Sequence, residues 1–175
     1  MNLAVFLDRD GVLNRAITRD GKPWAPFSLD ELEILPGVPE ALAALRAAGF
    51  QLIVVTNQPD VARGHAKKAA VDAIHQHMRQ RLPLDEIRVC YHDDHHGCAC
   101  RKPKPGMIYA AAVDREIELA RSFMVGDRWR DIGAGKAAGC QTILVNAMVE
   151  ETRVEPDIEL RDLPAAADWI LTSRS

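Results

Sequence analysis

Short runs of apolar residues alternate along this chain with longer amphipathic segments, and this order limits the possible folds more than any other feature. The runs have the length of strands. All but the third are apolar without interruption by alternating polar residues, a pattern typical of strands buried on both faces of a sheet. They are Leu3 to Leu7, Gln51 to Val55, Ile87 to Cys90, Ser122 to Val125 and Thr142 to Val145. We therefore predict five strands, most of them in a parallel sheet.

The segments between these runs carry helix signals. Glycine or proline follows three of the four, and helices commonly end just before these residues. The predicted helices are Val38 to Ala48, Lys67 to Leu82, Pro105 to Glu118 and Arg130 to Ala138. Because strand and helix alternate, we predict an α/β fold with a doubly wound, mainly parallel sheet that binds ligands at the carboxyl ends of its strands.

Two segments fall outside this alternation. Residues 14–35, called the flap below, are longer than a usual connection between strand and helix, and we expect them to cover the ligand site. Pro156 to Ser175 is predicted to add a short strand near Asp157 to Leu160 and a helix through Trp169. No insertion is long enough for a large cap domain, so residues 1–175 are expected to form one domain.

Composition excludes several classes of protein. The apolar share of 47% and the charged share of 27% are close to the averages of soluble globular proteins, which excludes disordered and fibrous chains. No apolar run reaches the roughly 18 residues of a membrane span, and the run behind Met1 is too short for a signal peptide. The net charge is −3, and the basic residues are spread along the chain. We expect a cytoplasmic monomer that binds neither nucleic acid nor membrane.

Acidic residues follow two of the predicted strands. Asp8 and Asp10 come after the first strand, and Gly126-Asp127-Arg128-Trp129-Arg130-Asp131 follows the fourth. Carboxylates leaving a buried strand need compensating charge, which a bound cation supplies. The alternative for the first pair is that it caps a turn at Gly11. Both pairs are expected at the same edge of the sheet.

Groups that can bind an oxyanion follow the second and third predicted strands. Thr56, Asn57 and Gln58 offer hydrogen bonds after the second strand, and Arg101-Lys102-Pro103-Lys104-Pro105 brings three cations to a loop ahead of a helix. Taken alone, polar residues after a strand are common, and a basic loop can simply be solvated. The third strand leads into this basic loop through a cluster of cysteines.

The cysteine cluster predicts a zinc site. Cys90-x-His92 is followed after five residues by Cys98-x-Cys100, which supplies three thiolates and one imidazole, the donors of a closed tetrahedral site. His95 and His96 are competing ligands, and reduced thiols without metal are the alternative. A site without an open position predicts structural Zn²⁺ in a loop of residues 90–100, called the zinc loop below. Cys140 stands apart and is expected to be a buried small residue.

Taken together, these motifs resemble the haloacid dehalogenase (HAD) superfamily of phosphatases over residues 3 to 146. The order is Asp-x-Asp after the first strand, Thr after the second, Lys before a helix, and Gly-Asp-x-x-x-Asp after a late strand. More narrowly, Thr56-Asn57-Gln58, Ala62-Arg63-Gly64, the cysteine cluster and Pro105-Gly106-Met107 resemble the heptose-bisphosphate phosphatases. The histidinol-phosphate phosphatases share much of this pattern. The resemblance implies a Rossmann-like HAD fold.

The resemblance also implies roles for individual residues. It implies that Asp8 is the nucleophile, that Asp10 is the general acid and base, and that Thr56 and Lys102 contact the phosphoryl group. Mg²⁺ would be held by Asp8, the Asp10 carbonyl and Asp127, with Asp131 as a supporting acid. The substrate would be contacted by Asn57, Gln58, Arg101 and Arg128.

The function predicted from the sequence is that of an Mg²⁺-dependent phosphatase acting through an aspartyl-phosphate. Its substrate would be a small sugar phosphate, and the narrower resemblance implies removal of the 7-phosphate of a heptose 1,7-bisphosphate, a step toward lipopolysaccharide precursors. One alternative is a histidinol-phosphate phosphatase. An alternative of another class is an inactive, zinc-stabilised interaction module.

Some sequence features depart from the heptose family or imitate other motifs. Pro59-Asp60 stands where that family usually has Ser-Gly, and Arg15 to Pro26 lacks its usual Gly-Tyr. Gly133 to Ala138 imitates a dinucleotide fingerprint, but it does not directly follow a strand, so we assign it to helix packing. His75 and His77 are predicted to lie on an ordinary helix face.

Overall fold

The computed structural model describes residues 1–147 and 154–173. Strands and helices alternate along nearly all of this length, as the pattern of apolar runs predicts. The elements follow in the order β1 (Leu3–Leu7), β2 (Ile17–Arg19), β3 (Lys22–Trp24), α1 (Val38–Ala47), β4 (Phe50–Asn57), α2 (Lys68–Arg81), β5 (Glu86–Cys90), α3 (Gly106–Arg115), β6 (Phe123–Gly126), α4 (Trp129–Ala138), β7 (Gln141–Val145), β8 (Ile158–Leu160) and α5 (Leu163–Thr172).

Six of the strands form one parallel sheet. Its strand order is β5-β4-β1-β6-β7-β8, so β1 is central and has β4 on one side and β6 on the other. Leu3 pairs with Phe50, and Val5 pairs with both Leu52 and Phe123. The prediction of a doubly wound parallel sheet is confirmed, and no large cap domain is inserted among the described residues.

Helices cover both faces of the sheet because its strands are apolar on both. Val5 and Leu7 of β1 point into the core beneath α1, α2 and α5. Ala4 and Phe6 point the other way, toward α3 and α4. On that second face Gly135 of α4 lies close to Met124 and Thr142, so the helix packs tightly on β6 and β7. This supports the assignment of the Gly133 to Ala138 segment to helix packing.

Two element boundaries differ from the sequence prediction in ways that matter for the site. Strand β4 continues two residues beyond Val55, so Thr56 and Asn57 belong to the strand. Helix α3 ends at Arg115 and not at Glu118, because Glu116 adopts a left-handed conformation with φ 53°. The chain then returns to the sheet, where Ile117 bridges to Asn2.

The flap is an ordered structure and more than a long link. Strands β2 and β3 form a hairpin whose turn residues, Asp20 and Gly21, both have positive φ, the geometry that Asp-Gly favours. A short 3₁₀ turn follows at Leu29–Glu31. Glu31 accepts hydrogen bonds from the Arg19 guanidinium at 2.6 Å and from the Phe27 amide at 2.7 Å. These contacts fix the hairpin to the rest of the flap.

The end of the chain adds the strand β8 and the helix α5, as predicted, whereas residues 174 and 175 of that predicted segment lie outside the described residues. None of the helices within 1–147 and 154–173 has the length and apolar character needed to cross a membrane.

Candidate active site

Acidic side chains from two neighbouring strands meet at the carboxyl edge of the sheet. Asp8 follows β1, Asp127 follows β6, and Asp131 lies in the first turn of α4. Carboxylate oxygens of all three lie within 4.8 Å of one another. Two glycines allow this approach, because a Cβ at Gly11 would overlap the Asp127 carboxylate and one at Gly126 would overlap Asp131. The structure thus brings three of the predicted acids into one cluster.

Lys102 supplies a positive charge to this acidic cluster. Its Nζ donates to Asp8 Oδ1 at 2.7 Å and to Asp131 Oδ1 at 2.5 Å, and the side chain is almost completely buried. Asn57 holds the Lys102 backbone from both sides: its Oδ1 accepts from the Lys102 amide, and its Nδ2 donates to the Lys102 carbonyl, each at 3.1 Å. Strand β4 therefore positions the lysine that reaches the end of β1.

The acidic cluster carries more negative charge than Lys102 can balance. Burial and then the Asp131 charge raise the pKa of Asp8 to about 6. Burial, followed by the charges of Asp8 and Asp131, raises the pKa of Asp127 well above its ordinary value. Asp127 Oδ1 is buried and has no hydrogen-bond partner among the described residues. Hard oxygen donors with unbalanced charge fit a divalent cation such as Mg²⁺.

Asp10 has a different environment from the three clustered acids. Its Oδ1 accepts from Arg9 and Asn14, each at 3.0 Å, and its Oδ2 accepts from Gln58 Nε2 at 2.8 Å. Burial alone would raise the pKa of Asp10, but the Arg9 charge and these hydrogen bonds hold it below its ordinary value. Asp10 is thus a carboxylate in the free protein.

Thr56 is more deeply buried than Asn57 and Gln58, the polar residues that follow it. It is fully buried, and its hydroxyl accepts a hydrogen bond from Gln58 Nε2 at 3.0 Å. The backbone of Gln58 is fixed as well, because its backbone N–H donates a hydrogen bond to the Cys90 carbonyl at 2.8 Å. The Gln58 side chain therefore links Thr56 to Asp10.

These groups open into a polar cavity of about 250 Å³. Asp8, Asp10, Lys102 and Asp131 line this cavity, and so does Trp24 of the flap. Trp24 also packs on the His65 ring with a centroid distance of 5.3 Å, which joins the flap to the loop after β4. The flap contributes to this cavity, as expected from its length and position.

Four guanidinium groups line the same cavity: those of Arg63, Arg101, Arg128 and Arg130. Arg101 Nε donates to Asp94 Oδ1 at 2.7 Å, and Arg63 binds Asp93 through two contacts of 2.6 and 2.8 Å. Arg130 Nε is buried and finds no hydrogen-bond partner in the described part of the chain.

The sequence motifs single out Arg101 and Arg128 but miss Arg63, Arg130 and Trp24 as cavity residues. Signals for the two arginines are present, since Arg63 lies in the Ala-Arg-Gly motif and Arg130 lies between the two acids after β6. Neither motif by itself indicates which way its arginine points.

The predicted zinc ligands form a second cluster. One donor atom from each of Cys90, His92, Cys98 and Cys100 lies within 4.8 Å of the others. The Cys90 and Cys98 sulfurs are 3.7 Å apart, and His92 Nδ1 lies 3.3 Å from Cys100 Sγ. Three sulfurs and one nitrogen at such separations fit a tetrahedral Zn²⁺ ion.

The competing histidines of the zinc loop lie outside this cluster. His96 instead accepts a hydrogen bond from the Asp93 amide through Nδ1 at 3.0 Å, which closes a capping box around the short 3₁₀ turn Asp94–His96. His95 stacks on His96 with ring centroids 4.0 Å apart. The same turn supplies Asp94, the partner of Arg101, so the cysteine cluster and the cavity share one loop.

HAD-like hydrolases are defined by a parallel sheet with an Asp-x-Asp motif after its central strand. They also have a buried lysine and further acids after a strand that neighbours the central one in the sheet. A HAD-hydrolase-like family model matches residues 99–171. Comparison with individual proteins narrows this class.

Curated relatives of this chain have the name D-glycero-D-manno-heptose-1,7-bisphosphate 7-phosphatase or D-glycero-β-D-manno-heptose-1,7-bisphosphate 7-phosphatase. The first of the two relatives below has the former name and the second has the latter. The protein from Thermosynechococcus vestitus is 35% identical over 97% of this chain and 95% of its own length. The protein from Bordetella bronchiseptica is 36% identical over 95% of this chain and 97% of its own. This chain belongs to the same family of HAD-like phosphatases.

A solved structure agrees with this family assignment. The crystal structure of D,D-heptose 1,7-bisphosphate phosphatase from B. bronchiseptica, complexed with magnesium and phosphate, matches 99% of each chain with a TM-score of 0.86 and 36% identity. The predictions of a phosphatase and of a HAD fold are confirmed, and the alternative of an inactive interaction module has no support among these relatives. The Cys/His cluster could bind zinc.

Proposed function

We propose that this phosphatase removes the 7-phosphate of D-glycero-D-manno-heptose 1,7-bisphosphate. The observation that carries this proposal is the distribution of charge in the cavity. Asp8, Asp131 and Lys102 line the cavity, with Asp127 in the same acidic cluster, and the guanidinium groups of Arg63, Arg101, Arg128 and Arg130 line it as well. A substrate with two phosphates would place one at the acids and leave the other among the arginines. The names of the relatives agree with such a substrate.

Magnesium would be held by Asp8, by Asp127 and by the backbone carbonyl of Asp10. When bound, it would neutralise charge on the reacting phosphate and on the acids around it. Lys102 supports this assignment because Asp8 and Asp131 hold its ammonium group inside the same cluster. Asp131 would act as a supporting acid by fixing Lys102. Thr56, through Gln58, would help to hold the phosphoryl end of the cavity.

The chemistry is set by the positions of Asp8 and Asp10. Asp8 attacks phosphorus, the bond from phosphorus to the 7-oxygen breaks, and an aspartyl-phosphate forms. Asp10 gives a proton to the departing oxygen and afterwards takes one from the water that releases phosphate. Because Asp10 is a carboxylate in the free protein, it must first gain this proton. The nearby phosphate anion would favour its uptake by raising the Asp10 pKa.

The substrate end of the cavity would be built by Arg101 and Arg128, with Asn57 and Gln58 nearer the reacting phosphate. Arg130 joins them in this proposal, since its unpartnered Nε has hydrogen-bonding capacity to spare. The proposed site needs no residue from a second subunit, and we propose a monomer formed by a single phosphatase domain. We also propose that the enzyme works in the cytoplasm, where a phosphorylated sugar intermediate is retained.

A phosphate-release panel tests the substrate. Purified enzyme with Mg²⁺ is given the α and β anomers of the heptose 1,7-bisphosphate, histidinol phosphate and p-nitrophenyl phosphate. We expect one heptose anomer to have the highest kcat/KM. A higher kcat/KM for histidinol phosphate would contradict the substrate assignment, and failure to release phosphate from any of them would contradict the phosphatase mechanism.

The arginines can be tested with the same panel. Arg130→Ala should lower kcat/KM for the bisphosphate about ten-fold or more and change that for p-nitrophenyl phosphate little, because a hydrogen bond to a charged group contributes about 1.5–3 kcal/mol. Arg121→Ala, an exposed arginine outside the cavity, is the control. Equal losses on both substrates would remove Arg130 from the second phosphate.

A further inference from the structure

Arg9 lies between the two acids of the Asp-x-Asp motif and is fully buried. Its Nε and Nη2 donate to Asp10 Oδ1 at 3.2 and 3.0 Å, and Nη2 also reaches Asp10 Oδ2 at 3.2 Å. Its Nη1 lies 2.8 Å from Nε2 of His75, on α2. The guanidinium group is thus held between a carboxylate and an imidazole.

The contact with Arg9 fixes the state of the imidazole. A guanidinium group has only donors, so His75 Nε2 must be the acceptor and any ring proton must be on Nδ1. His75 is buried and does not line the cavity that holds Asp8. The charged groups around it are Arg9, Asp10, Asp72 and Arg79. Burial and Arg9 lower the pKa of His75 to about 4, which agrees with a neutral ring.

We propose that His75 is a positioning residue for proton transfer by Asp10. The neutral imidazole holds Nη1, which fixes the plane of the Arg9 guanidinium. That plane sets the direction in which Nε and Nη2 meet the Asp10 carboxylate. The inference rests on the proposed role of Asp10 as general acid and base.

Loss of the His75 acceptor would leave a buried donor of Arg9 without a partner. An unsatisfied buried charge-bearing group turns toward another acceptor or toward water. Either movement would carry the Asp10 carboxylate away from the departing oxygen, while Asp8, Lys102 and the cation-binding acids remain in place. The expected defect is therefore confined to proton transfer.

Leaving-group dependence separates this defect from a general loss of structure. p-Nitrophenolate leaves without a proton, whereas phenolate, a poorer leaving group, gains more from a general acid. The experiment compares kcat/KM for phenyl phosphate and p-nitrophenyl phosphate in wild type, His75→Leu and His75→Gln. His77→Leu, two residues along the same helix, is the matched control.

We expect His75→Leu to lose about ten-fold or more on phenyl phosphate and less than about three-fold on p-nitrophenyl phosphate. Glutamine offers an acceptor of similar reach, so His75→Gln should restore most of the lost activity. If His75→Leu does not fold, His75→Asn, whose side chain is too short to reach Arg9, should show the same selective loss.

Equal losses on the two substrates, no loss, or no rescue by glutamine would each overturn the inference. A wild-type enzyme that releases phosphate neither from these aryl phosphates nor from the heptose 1,7-bisphosphate in the presence of Mg²⁺ would contradict the proposed function instead. The two failures are therefore distinguishable.

Discussion

The Asp8 carboxylate accepts a hydrogen bond from Lys102, so its position depends on a residue 94 positions away in the sequence. Asp8→Asn keeps the shape of the side chain but removes both the proposed nucleophile and a proposed anionic ligand of Mg²⁺. We expect phosphate release to fall below a hundredth of wild type, with the melting temperature little changed because Lys102 keeps Asp131.

The control for Asp8→Asn is Asp114→Asn, which alters an exposed acid paired with Arg88. It should retain full activity. Residual turnover by Asp8→Asn above a hundredth of wild type would show that another group attacks phosphorus.

His75 should make the stability of the protein depend on pH. Its pKa falls from the ordinary 6.5 to about 4 on folding, through burial and the Arg9 charge. Between these values the unfolded chain binds more protons than the folded chain, so the free energy of unfolding decreases as the pH falls. We expect a loss of about 2 kcal/mol between pH 7 and pH 5 in urea titrations, with His75→Leu lacking this component. Parallel pH curves for the two proteins would contradict it.

At the scale of single residues, the sequence predicts best the polar groups near the ends of the strands. The sequence predicts that Asp8, Lys102 and Asp127 lie together, because parallel strands bring their carboxyl ends to one edge, and the structure places them close to one another. The prediction that His75 lies on an ordinary helix face was wrong, since the residue is buried against Arg9. This contact joins residues 66 positions apart, and no local pattern around His75 indicates it.

Helix α4 and the sheet approach closely at Gly135, and this element contact can be tested. A Cβ there would lie 2.6 Å from Met124 Cβ and 2.7 Å from Thr142 Cγ2. Alanine usually stabilises a helix relative to glycine, but this overlap should reverse the sign and lower the free energy of unfolding by about 1–3 kcal/mol. Ala137→Val adds volume on the exposed side as a control. A more stable Gly135→Ala would show that α4 can move outward freely.

The zinc loop should affect activity through Arg101. Cys98→Ser removes one of the four clustered donors, so we expect bound zinc, measured by metal analysis, to fall from about one equivalent per chain. Arg101 is held by Asp94 and the His92 carbonyl, both in this loop. The KM for the bisphosphate should therefore rise several-fold.

Cys140→Ala, outside the cluster, is the control for the zinc loop and should keep its zinc. Undiminished zinc in Cys98→Ser would remove Cys98 from the site and make His95 or His96 the replacement ligand.

Elements with a strong periodic pattern were predicted closely, and irregular ones were not. The strand prediction for Leu3–Leu7 is confirmed residue for residue. The flap hairpin was missed although Asp20-Gly21 is a hairpin turn signal, because its strands have only three residues each and little apolar alternation. The end of α3 was misplaced because a non-glycine residue, Glu116, takes the left-handed conformation there.

For the whole molecule, the three clustered acids link metal binding to stability. Without a cation they repel one another, so Mg²⁺ at a hundred-fold excess over its Kd should add about 2.7 kcal/mol to the free energy of unfolding. Asp127→Asn removes one negative charge without changing the side-chain shape. In Mg²⁺-free buffer we expect its Tm to equal or exceed that of wild type, and Mg²⁺ should no longer raise it. A full Mg²⁺ response in this variant would exclude Asp127 as a ligand.

The central place of β1 has a consequence for the order in which the protein is made. This strand leaves the ribosome well before its second neighbour, β6, and the Ala4 amide donates a hydrogen bond to Ser122 Oγ, 118 residues further along the chain. At about 5–20 residues per second, the apolar strand waits roughly 6 to 24 seconds for that partner. During this time one edge of Leu3–Leu7 is open to other chains. Synthesis of this enzyme should therefore depend on protection of the nascent β1 strand until the second half of the sheet emerges.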